Sequence, residues 1–160
     1  MNTLTGNNLV ERVRRLFGKA PCRLQAAALP WRKTADGVEI MLITSRDTGR
    51  WVLPKGWPDG DEDLSLAAAR EAGEEAGLSG AVSRHEIGRY FYAKVLSSGE
   101  EVPCEVLVFP LEVDRIADKW KEKGQRKRKW VSPGKAARML NEPDLCGLIS
   151  AFGGNRKFAA

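Results

Sequence analysis

The sequence predicts an α/β sandwich: a mostly buried mixed sheet with helices on both faces. Three observations predict it. Short apolar segments of strand character interleave with segments of helical period. Glycine- and proline-centred turns separate them at close intervals. At 160 residues, 42% of them hydrophobic, the chain is long enough for one domain around one core.

The elements follow in order. Residues 1–20 read as an N-terminal helical extension, with Leu9, Val10, Val13, Leu16 and Phe17 at helical spacing between Arg12, Arg14 and Arg15. Such a helix can lie on a membrane, but packing on its own domain is the expectation. The domain proper spans 21–152. "RLQAAALPWRKT" and "VEIMLITSRD" read as strands joined by the turn Ala35-Asp36-Gly37. "RWVLP" is a short strand stopped by Pro54, and Pro58-Asp59-Gly60 has turn chemistry. Asp61 or Asp63 caps a helix that runs to about Ala76, where Gly77 supplies a left-handed residue. "EIGRYFYAKV" and "EVPCEVLVFPLEV" read as strands paired around Ser97-Ser98-Gly99. "KRKWVS" is a short strand after a basic loop, "PGKAARML" starts a helix at a proline, and "DLCGLISAF" is a further helical stretch. Residues 153–160 read as a polar tail.

Composition narrows the chemistry. No apolar run approaches the roughly 20 residues of a membrane span, and the N-terminal segment lacks the pattern of a signal peptide. The expectation is a cytoplasmic protein with no membrane partner. Cys22, Cys104 and Cys146 are far apart and lack metal-ligand spacing, as buried thiols of a reducing compartment would. His85 is the only histidine and lies in no catalytic pattern, so Ser-His-Asp and Cys-His chemistry are excluded unless His85 is the base. The net charge of +5 hints at anionic partners.

The segment "GWPDGDEDLSLAAAREAGEEAGL", Gly56 to Leu78, concentrates seven acidic residues in this basic chain. A helical wheel of residues 64–76 clusters Leu66, Ala69, Ala72, Gly73 and Ala76 on one side, and Glu71, Glu74 and Glu75 on nearly the opposite side. The first side is expected to pack closely on the domain, with Gly73 placed for close approach. The acids repel by a few tenths of a kcal/mol per solvated pair. A hard divalent cation reverses that sign, because magnesium takes one or two carboxylates together with substrate phosphate. A glutamate can also hold or deprotonate an attacking water. A solvated acidic face is the alternative for three such carboxylates taken alone.

The spacing decides between them. Gly56, Glu62, Arg70-Glu71-Ala72, Glu74-Glu75 and Gly77-Leu78 fill all nine fixed positions of the pattern G-x5-E-x7-R-E-U-x-E-E-x-G-U, with U apolar. The chain thus resembles the Nudix hydrolases. The resemblance implies the Nudix α/β/α sandwich with a central mixed sheet, and hydrolysis of a pyrophosphate linkage with Mg2+ or Mn2+. It implies Glu71 and Glu75 as metal ligands, Glu74 as ligand or base, and a metal contact from the Lys55 main-chain carbonyl. Arg70 and Glu62 become the pair that orients the glutamates.

Substrate choice is expected from outside this box. Thr44, Ser45 and Arg46 end a strand leading into the active loop, and Lys123, Arg126, Lys127, Arg128 and Lys129 precede Trp130. In order and approximate spacing these resemble the diphosphoinositol polyphosphate phosphohydrolase branch. That ligand is a dense small polyanion, and Arg23, Arg46, Lys55, Arg126, Lys127 and Arg128 are the candidates to grip it. "LPKG" also resembles diadenosine tetraphosphate hydrolases, whose ligands need fewer cations and a stacking platform such as Trp57, Tyr90, Phe91 or Tyr92. A Nudix pyrophosphatase for another nucleoside diphosphate derivative is a further alternative. So is a non-catalytic nucleotide or RNA-end binder, although the box has lost no glutamate and no RNA-binding pattern is present. Members often carry a glutamate outside the box as base or ligand. Glu105 is the nearest candidate, with Glu100 and Glu101 as alternatives, and the base stays open between these and Glu74.

Overall fold

The computed structural model describes residues 22–154. The expected helical extension over 1–20 lies outside the described residues, as does most of the expected tail over 153–160, whose first two residues instead end the last helix. Within them the order is β1 (Arg23–Thr34), β2 (Gly37–Thr44), β3 (Trp51–Val52), β4 (Lys55–Gly56), α1 (Leu64–Ala76), β5 (Leu78–Val82), β6 (Gly88–Val95), β7 (Glu101–Ile116), β8 (Arg128–Val131), α2 (Pro133–Met139) and α3 (Pro143–Gly154).

One sheet collects the strands in the order β3-β2-β1-β7-β5, with β4 on β1, β6 on β7 and β8 on β2. The central β1–β7 pair is parallel, in register from Arg23 against Cys104 to Trp31 against Glu112. The other pairs are antiparallel, so the sheet is mixed as expected. Because β1 is buried on both faces, it reads as an unbroken apolar run rather than an alternation. Ala27, Leu29 and Trp31 face a core closed by Ala136, Leu140, Leu145, Ile149 and Phe152 of the α2–α3 layer. Ala26 and Ala28 face the opposite core, closed by Ala67, Ala68, Ala72 and Ala76 of α1. This is an α/β/α sandwich.

Two sequence expectations need correction. Leu66 is 58% exposed, and the inward stripe of α1 is centred on Ala68 and Ala72 instead. Alanines let the helix backbone approach the sheet, and the bulky leucine is turned out because there is no room beneath it. A Cβ on Gly73 would meet nothing closer than the Leu78 carbonyl oxygen at 3.7 Å, so close packing does not explain that glycine. Strands β4 and β5 were not anticipated. One is two residues long and the other mostly exposed, so neither carries an apolar signal. The ends of α1 are as expected: the Asp63 carboxylate accepts the Ser65 N–H at 2.9 Å, a cap worth about 1 kcal/mol, and Gly77 closes the helix at φ 68°.

Candidate active site

The acidic side of α1 faces a cavity of about 480 Å³ between the helix, β4, the Ser45–Asp47 turn and the segment 121–126. Glu71 and Glu75 are 9% and 7% exposed, yet both line it. They sit at the edge of the packed stripe, one turn apart, with Glu74 more open between them. Burial of two neighbouring anions has an electrostatic cost, and the surroundings show how it is met.

Arg70 meets part of it. Its Nε and Nη2 donate to the Glu62 carboxylate at 3.1 and 3.0 Å, Nη1 donates to Glu71 Oε1 at 3.0 Å, and Nη2 also donates to the Trp57 carbonyl oxygen at 2.9 Å. Glu62 accepts the Asp59 N–H as well, which ties the loop before α1 to the same guanidinium. The Arg70 pairing holds the Glu62 carboxyl below the usual carboxylate range and raises Arg70 further. Burial raises Glu71 in spite of Arg70. Gly56 is required here: a Cβ on it would lie 2.2 Å from Glu71 Oε1, inside the carboxylate.

Glu75 is met from two sides. The Lys55 N–H donates to its Oε2 at 3.3 Å, and Arg126 Nη2 lies 3.4 Å from its Oε1. Burial nevertheless pushes Glu75 up to about 7, with Arg126 and Lys55 opposing and Glu71 and Glu122 adding. The Lys55 ammonium lies half-buried over the Tyr92 ring at 5.1 Å, and desolvation lowers it. Below it the Tyr92 hydroxyl donates to Gln25 Oε1 at 2.5 Å.

Of the residues expected outside the box, Ser45, Arg46, Lys55 and Arg126 line this cavity. Thr44 does not. Its hydroxyl accepts the Lys127 N–H at 2.9 Å and its carbonyl oxygen accepts from Arg126 Nη1 at 3.1 Å. Arg23 is exposed at the start of β1 and Lys127 is exposed, both off the cavity lining. Arg128 turns away as well: it stacks on Trp120 with Cζ 3.9 Å from the ring centroid and donates to the Ala76 carbonyl oxygen at 2.9 Å. Alternating side chains along a strand-bound basic run cannot all point one way.

Glu105 is paired with Arg89 at 2.9 Å and is not in the cavity lining. Outside the box, Asp47 and Glu122 are the carboxylates among the described residues that line it; Glu122 is the buried one, held by Arg46 at 3.1 Å and Arg126 at 3.3 Å. Its own N–H donates to the Glu74 carbonyl oxygen at 3.0 Å. Glu122 is the lone acid in the run Lys119–Lys129, and that isolation was the signal that could have found it. Lys94 and Lys121 also line the cavity; Lys94 lies 5.9 Å from the Trp57 ring centroid and Lys121 is 3.6 Å from Glu74.

Among the described residues no three acidic, histidine or cysteine side chains already converge on one metal position. The donor chemistry nonetheless fits a hard dication. Glu71, Glu74, Glu75 and Glu122 offer only oxygen, no histidine or cysteine lines the cavity, and burial raises Glu71 and Glu75 in spite of the cations beside them.

The NUDIX domain profile matches residues 23–147. Nudix hydrolase 17, mitochondrial, of Arabidopsis thaliana is 35% identical over 100 residues, covering 62% of this chain and 53% of its own. This chain therefore spans about half the length of that relative. Diphosphoinositol polyphosphate phosphohydrolase 3-alpha of Mus musculus is 29% identical over 118 residues, covering 72% of this chain and 68% of its own. The solved C. elegans Ap4A hydrolase binary complex is similar with a TM-score of 0.61 at 23% identity, covering 82% of this chain and 96% of that one, and it bears on the fold alone.

Proposed function

This chain belongs to the NUDIX family, and on that premise we propose that it hydrolyses a pyrophosphate linkage in a small polyphosphate. The observation that carries the reading is the cavity-facing trio Glu71, Glu74 and Glu75, two of them buried without full compensation. Nudix hydrolases generally use divalent cations. Here Glu71, Glu74 and Glu75 would hold Mg2+ or Mn2+, which neutralises phosphate oxygens and acidifies a bound water.

The chain's own residues do the rest. Arg70, braced by Glu62 and the Trp57 carbonyl oxygen, orients Glu71. Glu74, the more open of the three, would take a proton from water where it does not hold the metal, and Glu122 is the alternative base. Arg46, Lys55 and Arg126, around the rest of the lining, would offer donors to phosphate oxygens.

Charge selects among substrates. Among the described residues the lining holds six cationic side chains and six acidic ones. A balanced wall suits a linear polyphosphate, whereas a ring crowded with phosphates needs a clear excess of cations. Trp57, beside Lys94, adds a flat apolar surface for a base. A diadenosine polyphosphate or a related nucleoside diphosphate derivative is therefore the leading substrate. The similarity to the mouse diphosphoinositol enzyme favours diphosphoinositol polyphosphate as the second reading. Cys104 and Cys146 are free thiols, in keeping with a reducing compartment such as the cytoplasm, and no helix among the described residues is long and apolar enough to cross a membrane.

A phosphate-release screen over dinucleoside polyphosphates, inositol pyrophosphates and nucleoside diphosphate derivatives, with and without Mg2+, tests the proposal. Metal-dependent release is expected, highest on dinucleoside polyphosphates. Affinity for these compounds or for RNA 5′ ends with no turnover at any metal concentration overturns it in favour of a binding module.

A further inference from the structure

The segment 117–126 brings Lys121, Glu122 and Arg126 into the cavity without belonging to any long helix or strand. Something must hold it, because an irregular segment has no periodic ladder of its own. Four backbone bonds tie it to the C-terminal end of α1 or to itself: Ala117 N–H to the Gly77 carbonyl oxygen at 2.8 Å, Glu122 N–H to the Glu74 carbonyl oxygen at 3.0 Å, Lys123 N–H to that of Trp120 at 3.2 Å, and Gln125 N–H to that of Glu122 at 3.0 Å.

Two side chains close over this seam. The Trp120 ring lies directly on Gly77; a Cβ there would come within 2.8 Å of ring carbon Cδ2. Gly77 is thus needed twice, for its positive φ and for the ring above it. The ring's indole N–H is buried without a hydrogen-bond partner, so Trp120 is held by contact and stacking rather than by a bond. The Arg128 guanidinium supplies the stack at 3.9 Å. Its Nη1 donates to the Ala76 carbonyl oxygen at 2.9 Å and reaches that of Ala117 at 3.5 Å. One planar cation therefore bridges the last turn of α1 and the first residue of the segment. It also answers carbonyl groups that carry the negative end of the helix dipole.

We propose that Arg128 and Trp120 form a positioning clamp that fixes segment 117–126, and with it Glu122 and Arg126, against α1. Neither residue touches the cavity. They act through Glu122, whose N–H bond to the Glu74 carbonyl oxygen sets one carboxylate relative to the other. Arginine is required rather than lysine, because only the flat fork can stack on indole while donating to a carbonyl group.

The test compares Arg128→Ala and Arg128→Lys with the parent chain by two readouts. Amide exchange is followed at Ala117 and Glu122 with β1 amides as reference, and kcat and KM are measured per folded protein on the best substrate from the screen. The clamp predicts that both variants fold, exchange about tenfold faster or more at Ala117 and Glu122 with β1 unchanged, and lose about tenfold or more in kcat at nearly constant KM. Arg128→Lys keeps the charge and does not rescue. A rise in KM with kcat intact would make Arg128 a phosphate-binding cation and overturn the clamp. So would a lowered Tm with exchange at Glu122 and kcat unchanged, which marks a purely structural role. The kinetic arm rests on the hydrolase reading and the exchange arm does not, so a chain that cleaves nothing still tests the clamp.

Discussion

The two walls of the cavity are built on different principles. The α1 wall takes its order from helical repeat: Glu71, Glu74 and Glu75 point together because of their spacing in the chain. The opposite wall, segment 121–126, takes its order from contacts to residues far away, Arg46 to Glu122 and Arg126 to the Thr44 carbonyl oxygen among them. The first wall is local and rigid. The second exists only when the fold is complete. The position of Glu122 and Arg126 therefore depends on distant parts of the chain in a way that Glu71, Glu74 and Glu75 do not.

That contrast breaks most decisively at the acids. Glu75→Gln and Glu74→Gln should each cut kcat by about 10²–10³-fold with the fold intact by circular dichroism. Near-parental rates for both would remove the α1 wall from the chemistry. Next in size, Gly56→Ala puts a methyl group where the Glu71 carboxylate lies. A mobile carboxylate can swing aside at small cost in stability, so kcat should fall about tenfold or more while Tm barely moves. A large drop in Tm with kcat per folded protein preserved would mean that Gly56 serves folding alone.

The second wall is sharpened by a paired comparison. Glu122→Gln should lower kcat by about tenfold, whereas Glu105→Gln, changed in its pair with Arg89 outside the cavity, should stay within about twofold in steady-state assays. Equal losses would erase the distinction between cavity and surface acids.

The smallest expected effect is on stability against pH. Glu75 is pushed up to about 7 from 4.5, so between those values the folded, metal-free chain binds a proton that the unfolded chain has released. Stability should fall as pH rises through that window, by on the order of 1–3 kcal/mol. Urea midpoints at pH 5 and pH 8 in a chelator measure it, and Glu75→Gln should flatten the difference. A midpoint that rises with pH would contradict the buried, under-compensated Glu75.

The same division governs what could be read from the sequence. The strands β1, β2, β6 and β7 and the ends of α1 were legible, because apolar runs, Asp63 and Gly77 are local signals. Spacing brought out the acids, and the resemblance to the Nudix hydrolases brought out the Arg70–Glu62 pair. The basic run before Trp130 was legible as charge but not as direction. Arg126 turns inward to Glu75, Lys127 outward, and Arg128 back under the helix end, which only the pairing of β8 with β2 and the bond to the Ala76 carbonyl oxygen decide. Leu66 was misplaced for a similar reason: hydrophobicity suggests the inside, but the space against the sheet is alanine-sized.

The parallel β1–β7 ladder also sets an order of events during synthesis. A nascent chain that has emerged only as far as Ser98 already displays every box residue, yet β1 has no neighbour on its β7 side. Closing that ladder means joining Arg23 to Cys104 across the whole intervening chain, a slow, long-range step. Arg70 can meet Glu62 and Glu71 before that step, but Glu75 meets Arg126, and Glu122 meets Arg46, only after translation has delivered the second half of the domain, so the cavity is completed late.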